Sequence, residues 1–386
     1  MKTTFMGYPR PDGGVGIRNF VAVISTVSCA NLVAERIARE VEGAVAICHG
    51  HGCGRRPERE MHNRILAGLG RNPNVYGVVL VSLGCEGTPA SWVAEEIRKS
   101  GRPVELLTIQ EGGSGQAVEK GIRAARRLAA QAAQVERAET PLGSLILGME
   151  CGGSDAFSGV TANPAIGDLA DWLIAQGGSA VLTETTELIG TTGILGRRAK
   201  NEEIKRRILE VVEDAHQNTL RCLGENAARA IAPGNMDGGM STIQEKALGC
   251  VRKGGSSIIT DVVEYGQPSG QKGLIIMDGP GYDAESLTGL AALGCQIIFF
   301  STGRGTPLGF PIVPVVKVAS NSALYRRMPL DMDVDAGLVL EDGCTFRDLR
   351  ERMAEQLLST AEGALTKSER NGQTSFVCLW SHSKSI

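Results

Sequence analysis

From residue 20 onward, short apolar and β-branched runs alternate with stretches in which apolar residues recur every three to four positions. Phe20–Thr26, Ala44–Ile47, Val75–Leu83 and Pro103–Ile109 read as strands, and Asn31–Val41, Glu58–Leu69 and Pro89–Lys99 as the helices between them. Gly112-Gly113-Ser114-Gly115 opens a long Ala/Arg-rich helix that runs to Glu136. The polar stretch Gln134–Pro141 then breaks the pattern and predicts a boundary, after which the plan restarts. Strands are expected at Ser144–Met149, Ser179–Thr183, Leu274–Met277 and Gln296–Phe300, with one more in the tail at Phe376–Trp380. Helices are expected at Pro164–Gln176, Lys200–Ala228, Ser241–Val251 and Cys344–Thr360, with Ser241 and Gln244 at capping-box spacing. Hairpin signals are scarce. The alternation therefore predicts an α/β fold of mostly parallel sheets, arranged as two Rossmann-like domains over 1–140 and 141–386 with glycine-rich loops at the strand ends.

Composition sharpens this in three ways. Fifty of 386 residues are glycine, about 13% against roughly 7% in ordinary chains, so many loops turn sharply or approach a ligand closely. Forty Lys and Arg balance 43 Asp and Glu, which argues against nucleic acid or an anionic membrane as the main partner. No apolar run approaches the roughly 20 residues of a spanning helix, and Met1–Pro9 contains no signal-peptide apolar region. The ten cysteines are scattered rather than set at framework spacings, as in a reducing compartment. A cytoplasmic protein is expected.

Ligands of open α/β sheets bind at the carboxyl ends of strands, where this chain concentrates its unusual polar residues. Cys48-His49-Gly50-His51-Gly52-Cys53-Gly54 packs two imidazoles and two thiols into one glycine-rich loop, a natural source of metal ligands. A plain glycine turn is the alternative. Glu150-Cys151-Gly152-Gly153-Ser154-Asp155 places a carboxylate, a thiol and a hydroxyl after a strand, or simply caps the next helix. Glu184 and Glu187 end the following strand and suit metal binding or acid–base work, with a solvated face the simpler reading for Glu187. Gly234–Gly239 leads into a helix start and could cradle an anion, Arg304 could clamp a carboxylate, Arg18-Asn19 is a third candidate, and Lys246 sits one turn into a helix. No dinucleotide, P-loop or nucleophile-elbow motif is present.

Taken together, these motifs resemble the catalytic region of the altronate/galactarate dehydratase family. Asp12-Gly13, Gly16-Ile17-Arg18-Asn19, His49 with Gly52-Cys53-Gly54, Leu69 through Val75, Gly84-Cys85-Glu86, Glu150 through Gly159 and Thr161 through Pro164 carry the resemblance. Glu184-Thr185, Gly238-Gly239, Thr242-Ile243 with Glu245-Lys246, Thr302 through Pro307, Asn321 and Asp335-Ala336-Gly337 continue it in order. The resemblance implies loss of water from an aldonate or aldarate such as altronate or galactarate. A proton leaves the carbon beside the carboxylate, the β-hydroxyl departs, and a 2-keto-3-deoxy acid results. It implies a divalent metal, Fe²⁺ or Mn²⁺, with His49, Cys53 and Cys151 as contacts and His51, Glu150 and Lys246 as base and acid. Arg18, Asn19, Ser154, Asp155, Gly238, Gly239, Arg304 and Thr306 would hold the sugar acid. Members often carry a small N-terminal domain, whereas this chain begins at the catalytic region, so a separately encoded small subunit is expected, as is a homo-oligomer. The sulfolactate sulfo-lyase large subunit is the rival enzyme; the residues at Gly52–Gly54 and Glu150–Gly153 favour dehydration. A non-catalytic binding or scaffold subunit is the rival of another class.

Overall fold

A computed structural model of the chain describes residues 2–341, 343–374 and 377–384. In chain order the strands are β1 (Thr4–Pro9), β2 (Val15–Gly16), β3 (Phe20–Ser25), β4 (Ala44–Ile47), β5 (Val75–Ser82), β6 (Val104–Thr108) and β7 (Ala138–Pro141). Then follow β8 (Ile146–Cys151), β9 (Ser179–Leu182), β10 (Ile259–Val263), β11 (Gly273–Met277), β12 (Ile297–Thr302), β13 (Val315–Ala319) and β14 (Val334–Asp335). One parallel sheet has the order β4-β3-β5-β6, and a second, of seven strands, has the order β10-β11-β9-β8-β12-β13-β14. Every residue of β11, β12 and β13 is buried, which is why these strands read as unbroken apolar runs rather than alternating ones. The expected α/β class with mostly parallel sheets is therefore observed.

The four-stranded sheet is covered on one face by the helices Asn31–Arg39 and Gly113–Ala132, whose apolar stripes form one core with Val21, Val23, Val79 and Val81. Its other face shares a continuous core with the seven-stranded sheet. Ile24, Ile65, Leu66 and Leu80 belong to the same cluster as Leu287, Leu290, Ile298 and Phe300. The helices Arg59–Arg71 and Asp283–Leu293 meet there, and a side chain at Gly68 would strike the Ala292 carbonyl. Asn72 and Asn74 tie the same seam with buried amides: Asn72 Nδ2 donates to the carbonyls of Ala291 (2.8 Å) and Cys295 (3.0 Å), and Asn74 Nδ2 to those of Gln296 and Ile312 (both 2.9 Å).

Several elements differ from the sequence-based expectation. The expected boundary contains β7, which pairs antiparallel with β1 in a third sheet, β2-β1-β7. Its partners lie at opposite ends of the first third of the chain, so no hairpin signal marks them. The helix Asp283–Leu293 was not expected because it is apolar on almost every side, and nine of its residues are buried. Strand β13 was hidden by Lys317 in its centre. The helix expected at Ser241 is capped one residue later: Thr242 accepts from the Glu245 amide, while the Glu245 carboxylate takes the Ser241 amide at 2.8 Å. Of Phe376–Trp380, residue 376 lies outside the described residues, and 377–380 form no strand, although Val377 and Leu379 are buried. No described helix is long and apolar enough to cross a membrane.

Candidate metal and acid–base site

The carboxyl ends of β8 and β9 carry a buried cluster of charged groups and thiols. β8 delivers Glu150 and Cys151. β9 is followed by Glu184, whose φ of 65° is left-handed, the one such non-glycine among the described residues, and a 3₁₀ turn that turns Glu187 inward. The helix Ile243–Cys250 brings Lys246 and Cys250, and the turn after it brings Lys253. These three are spaced i, i+4, i+7 and so fall on one helical stripe.

Glu187 is the centre. Its Oε2 accepts from Cys151 Sγ at 2.9 Å and Cys250 Sγ at 2.8 Å, its Oε1 accepts from Lys246 Nζ, and the two sulfurs are 3.4 Å apart. Cys151, Glu187 and Cys250 offer ligand atoms all within 4.8 Å of one another. Behind them Glu184 accepts from Lys253 Nζ and from the Cys151 amide at 3.1 Å. Burial opposes ionisation of Glu187, but Lys246 and then Lys253 and the thiols outweigh it and hold it at about 2. Burial, and next the charge of Glu187, push Glu184 up to about 7. Burial, with Glu184 next, raises Glu150 well above the usual carboxylate range.

Glu150 stands in register with Phe300 of β12 and Lys317 of β13, so the three share one face of the sheet. The Lys317 ammonium nitrogen lies 3.4 Å from the centre of the Phe300 ring and has no hydrogen-bond partner among the described residues. Ser286 donates to Glu150 Oε2, while Glu150 Oε1 and Glu184 Oε1 are buried without partners among the described residues. A side chain at Gly152 would collide with the Asp283 carboxylate and the Phe300 ring. Burial lowers the Lys317 pKa from 10.5 to about 7. A depressed amine pKa means the unfolded chain holds more protons between those values, so this residue's penalty is greatest below about pH 7 and fades toward pH 10.5. Lys317→Met is therefore expected to be more stable than the parent at pH 7, with an advantage that shrinks by about 1.4 kcal/mol per pH unit across pH 7.5–9.5. Urea unfolding of both proteins over that range checks it. A constant gap would mean that Lys317 is not held neutral.

Residues 142–384 match the family D-galactarate/Altronate dehydratase, C-terminal, and residues 7–133 match D-galactarate dehydratase/Altronate hydrolase, second domain. The chain belongs to the D-galactarate/altronate dehydratase family. It is 37% identical over 380 residues to a protein named altronate dehydratase from Bacillus subtilis, covering 95% of this chain and 76% of that one. It is 34% identical to galactarate dehydratase (L-threo-forming) from Escherichia coli, covering 93% of this chain and 73% of that one. It is equally 34% identical to (2R)-sulfolactate sulfo-lyase subunit beta from Chromohalobacter salexigens, where coverage is 97% and 96%.

In this dehydratase-family chain the residues singled out from sequence fall into three groups. Glu150, Cys151 and Lys246 lie in or beside the buried cluster. His49, His51 and Cys53 belong to the loop after β4, and neither His49 nor Cys53 is among the groups clustered around Cys151. His49 is buried with both ring nitrogens engaged: Nε2 donates to the Ser25 carbonyl at 2.9 Å, and Nδ1 accepts from the His51 amide at 3.1 Å. Burial, then its histidine neighbours, bring it down to about 4, so it is neutral and locked in one tautomer. The His51 ring packs 4.9 Å from that of His62. The Asp155 carboxylate takes Ser158, Ser320 and Asn321 as donors and Gly238 packs against the Asp155 Cα, while the Ser154 hydroxyl is buried without a partner among the described residues and the Arg304 amide donates to the Gly153 carbonyl at 2.8 Å. Gly239 has a φ of 92°, the Thr306 hydroxyl accepts from the Leu308 amide at 3.4 Å, and Arg304 is half exposed, 4.0 Å from Asp237.

Arg18 and Asn19 have other work. Arg18 donates to Glu369 (2.8 Å) and to the carbonyls of Thr360 (2.9 Å) and Ala364 (2.8 Å), tying the start of the chain to its end. Asn19 is held between Arg10 (2.8 Å) and the Ala132 carbonyl (2.7 Å). Glu187, expected at a solvated face, is 3% exposed. Cys250, Lys253 and Lys317 were missed. The available signals were the Lys246/Cys250/Lys253 spacing and a lysine inside the apolar run Val315-Val316-Lys317-Val318-Ala319.

Proposed function

We propose that this chain is the catalytic chain of a metal-dependent sugar-acid dehydratase, a hydro-lyase that converts an aldonate or aldarate to a 2-keto-3-deoxy acid. The observation that carries the reading is the buried Cys151–Glu187–Cys250 group beside carboxyls of shifted acidity. Two thiols and a carboxylate fit a borderline divalent ion, and they suit Fe²⁺ better than Mn²⁺, which favours oxygen ligands. Cys151, Glu187 and Cys250 would hold it, displacing His49 and Cys53 from the expected ligand set. A bound iron would supply Lewis acidity to the oxygens of the sugar acid.

The remaining roles follow from protonation. Glu184, at about 7, is matched to taking a proton near neutrality, and Glu150, kept protonated by burial, is matched to giving one to the departing hydroxyl. Lys246 balances the charge of Glu187, and the Asp155-centred loops with Arg304 lie on the substrate side. His51 keeps a place as a proton carrier on the other sheet. We assign the four-stranded and seven-stranded sheets to two Rossmann-like units, 1–140 and 141–386, that pack on the core they share. All ten cysteines are free, which supports a cytoplasmic setting. A separate small subunit belongs to this reading, since one relative is itself named subunit beta.

That relative also supports the second reading, a sulfo-lyase. Metal analysis of anaerobically purified protein, followed by keto-acid assay over hexonates and hexarates, tests the first. Bound iron and a keto-acid product are expected; sulfite from sulfolactate without keto-acid from any sugar acid would overturn it.

A further inference from the structure

The loop after β4 holds chemistry that the metal site does not use. Arg55, Arg56 and Arg59 line a cavity of about 20 Å³ together with Cys53, His62 and Asn63. None of the three arginines pairs with a carboxylate among the described residues. Two carboxylates of adjoining loops are committed elsewhere. Glu58 accepts from the amides of His382 (3.1 Å) and Ser383 (2.6 Å), and Glu86 from Thr26 (2.5 Å) and Ser82 (2.6 Å). Asn63 is 7% exposed and its amide oxygen has no partner among the described residues.

Three unneutralised guanidinium groups around one thiol repel a metal cation and attract an anion. The volume admits a group of about water size, as an oxyanion end does, and excludes a whole sugar acid. We propose that the Cys53–Arg59 loop is an oxyanion site that takes one carboxylate of the sugar acid. This rests on the dehydratase reading for its ligand. Inorganic phosphate shares the same chemistry, and the test separates the two.

Cys53 is exposed and serves as a reporter, with exposed Cys222 as the reference thiol in the same molecule. Iodoacetate carries a carboxylate and iodoacetamide does not. In both, the thiolate sulfur forms a bond to carbon as iodide leaves, so only the charge differs. Peptide mapping of the full-length protein is expected to give an iodoacetate-to-iodoacetamide rate ratio about tenfold higher at Cys53 than at Cys222. The Arg56→Gln/Arg59→Gln protein should bring the two ratios together, and a hexarate or hexonate should protect Cys53 better than phosphate at equal ionic strength. Equal ratios in the parent protein would overturn the site. Protection by phosphate with none from any sugar acid would overturn the carboxylate assignment. Labelling needs no turnover, so a failed keto-acid assay would refute the dehydratase reading and leave the anion site standing.

Discussion

Glu187→Gln is expected to abolish metal binding by the proposed Cys151–Glu187–Cys250 trio and lower turnover by more than about 100-fold, beyond what loss of an outer-shell partner brings. Glutamine keeps the shape and one acceptor oxygen but removes the charge that Lys246, Cys151 and Cys250 all address. Lys246 would then sit buried without a counter-charge, and the two thiols would lose the carboxylate that completes the ligand set. Metal content after desalting, measured beside circular dichroism to confirm the fold, reads the first effect, and keto-acid formation reads the second. Retained metal with undiminished turnover would remove Glu187 from the centre of the site and with it the proposed ligand trio.

The second large effect is on stability. Lys253 and Glu184 form an ion pair whose side chains are 1% and 0% exposed. Lys253→Met leaves that carboxylate buried and unpaired, at a cost of about 3–5 kcal/mol near pH 8. The pH dependence follows from the raised pKa of Glu184. A buried acid whose folded pKa lies above its unfolded value stays protonated at low pH, so its burial is harmless there and becomes costly as pH rises through the folded pKa. With Glu184 already at about 7, and expected higher without Lys253, the loss should be small at pH 5 and clearly larger at pH 8. Urea unfolding at both values checks this. The double variant Glu184→Gln/Lys253→Met should recover most of the loss, because the pair is removed together. If single and double variants are equally destabilised, the loss comes from packing and the pairing argument fails.

Much of the fold was legible in the residues. The alternation of apolar runs and helical stripes marked β3 to β6, β8, β9, β11 and β12; all but the edge strands β4 and β6 are interior parallel strands, buried on both faces, which read that way locally. The family resemblance rested on short glycine-bearing motifs whose spacing survives divergence. One of them, Leu69 through Val75, contributes Asn72 and Asn74, whose amides close the seam between the sheets rather than touching chemistry. The loop at Glu150-Cys151 was also recognisable, since a strand end with a carboxylate and a thiol is locally odd.

What local sequence determined, then, was which segments are strands and helices and which loops are chemically rich. Only the tertiary structure decided which of those groups meet. His49 has the composition of a ligand, yet the Ser25 carbonyl and the His51 amide occupy its nitrogens. Arg18 has the look of a substrate clamp, yet Glu369, from the far end of the chain, claims it. Glu187 and Lys246 look like surface charges on a turn and a helix, and become the heart of a buried site because the helix Ile243–Cys250 packs against the turn that carries Glu187. A charged side chain reads as exposed until its partner is known. That partner is brought by the packing of remote segments, and the sequence around either residue does not name it.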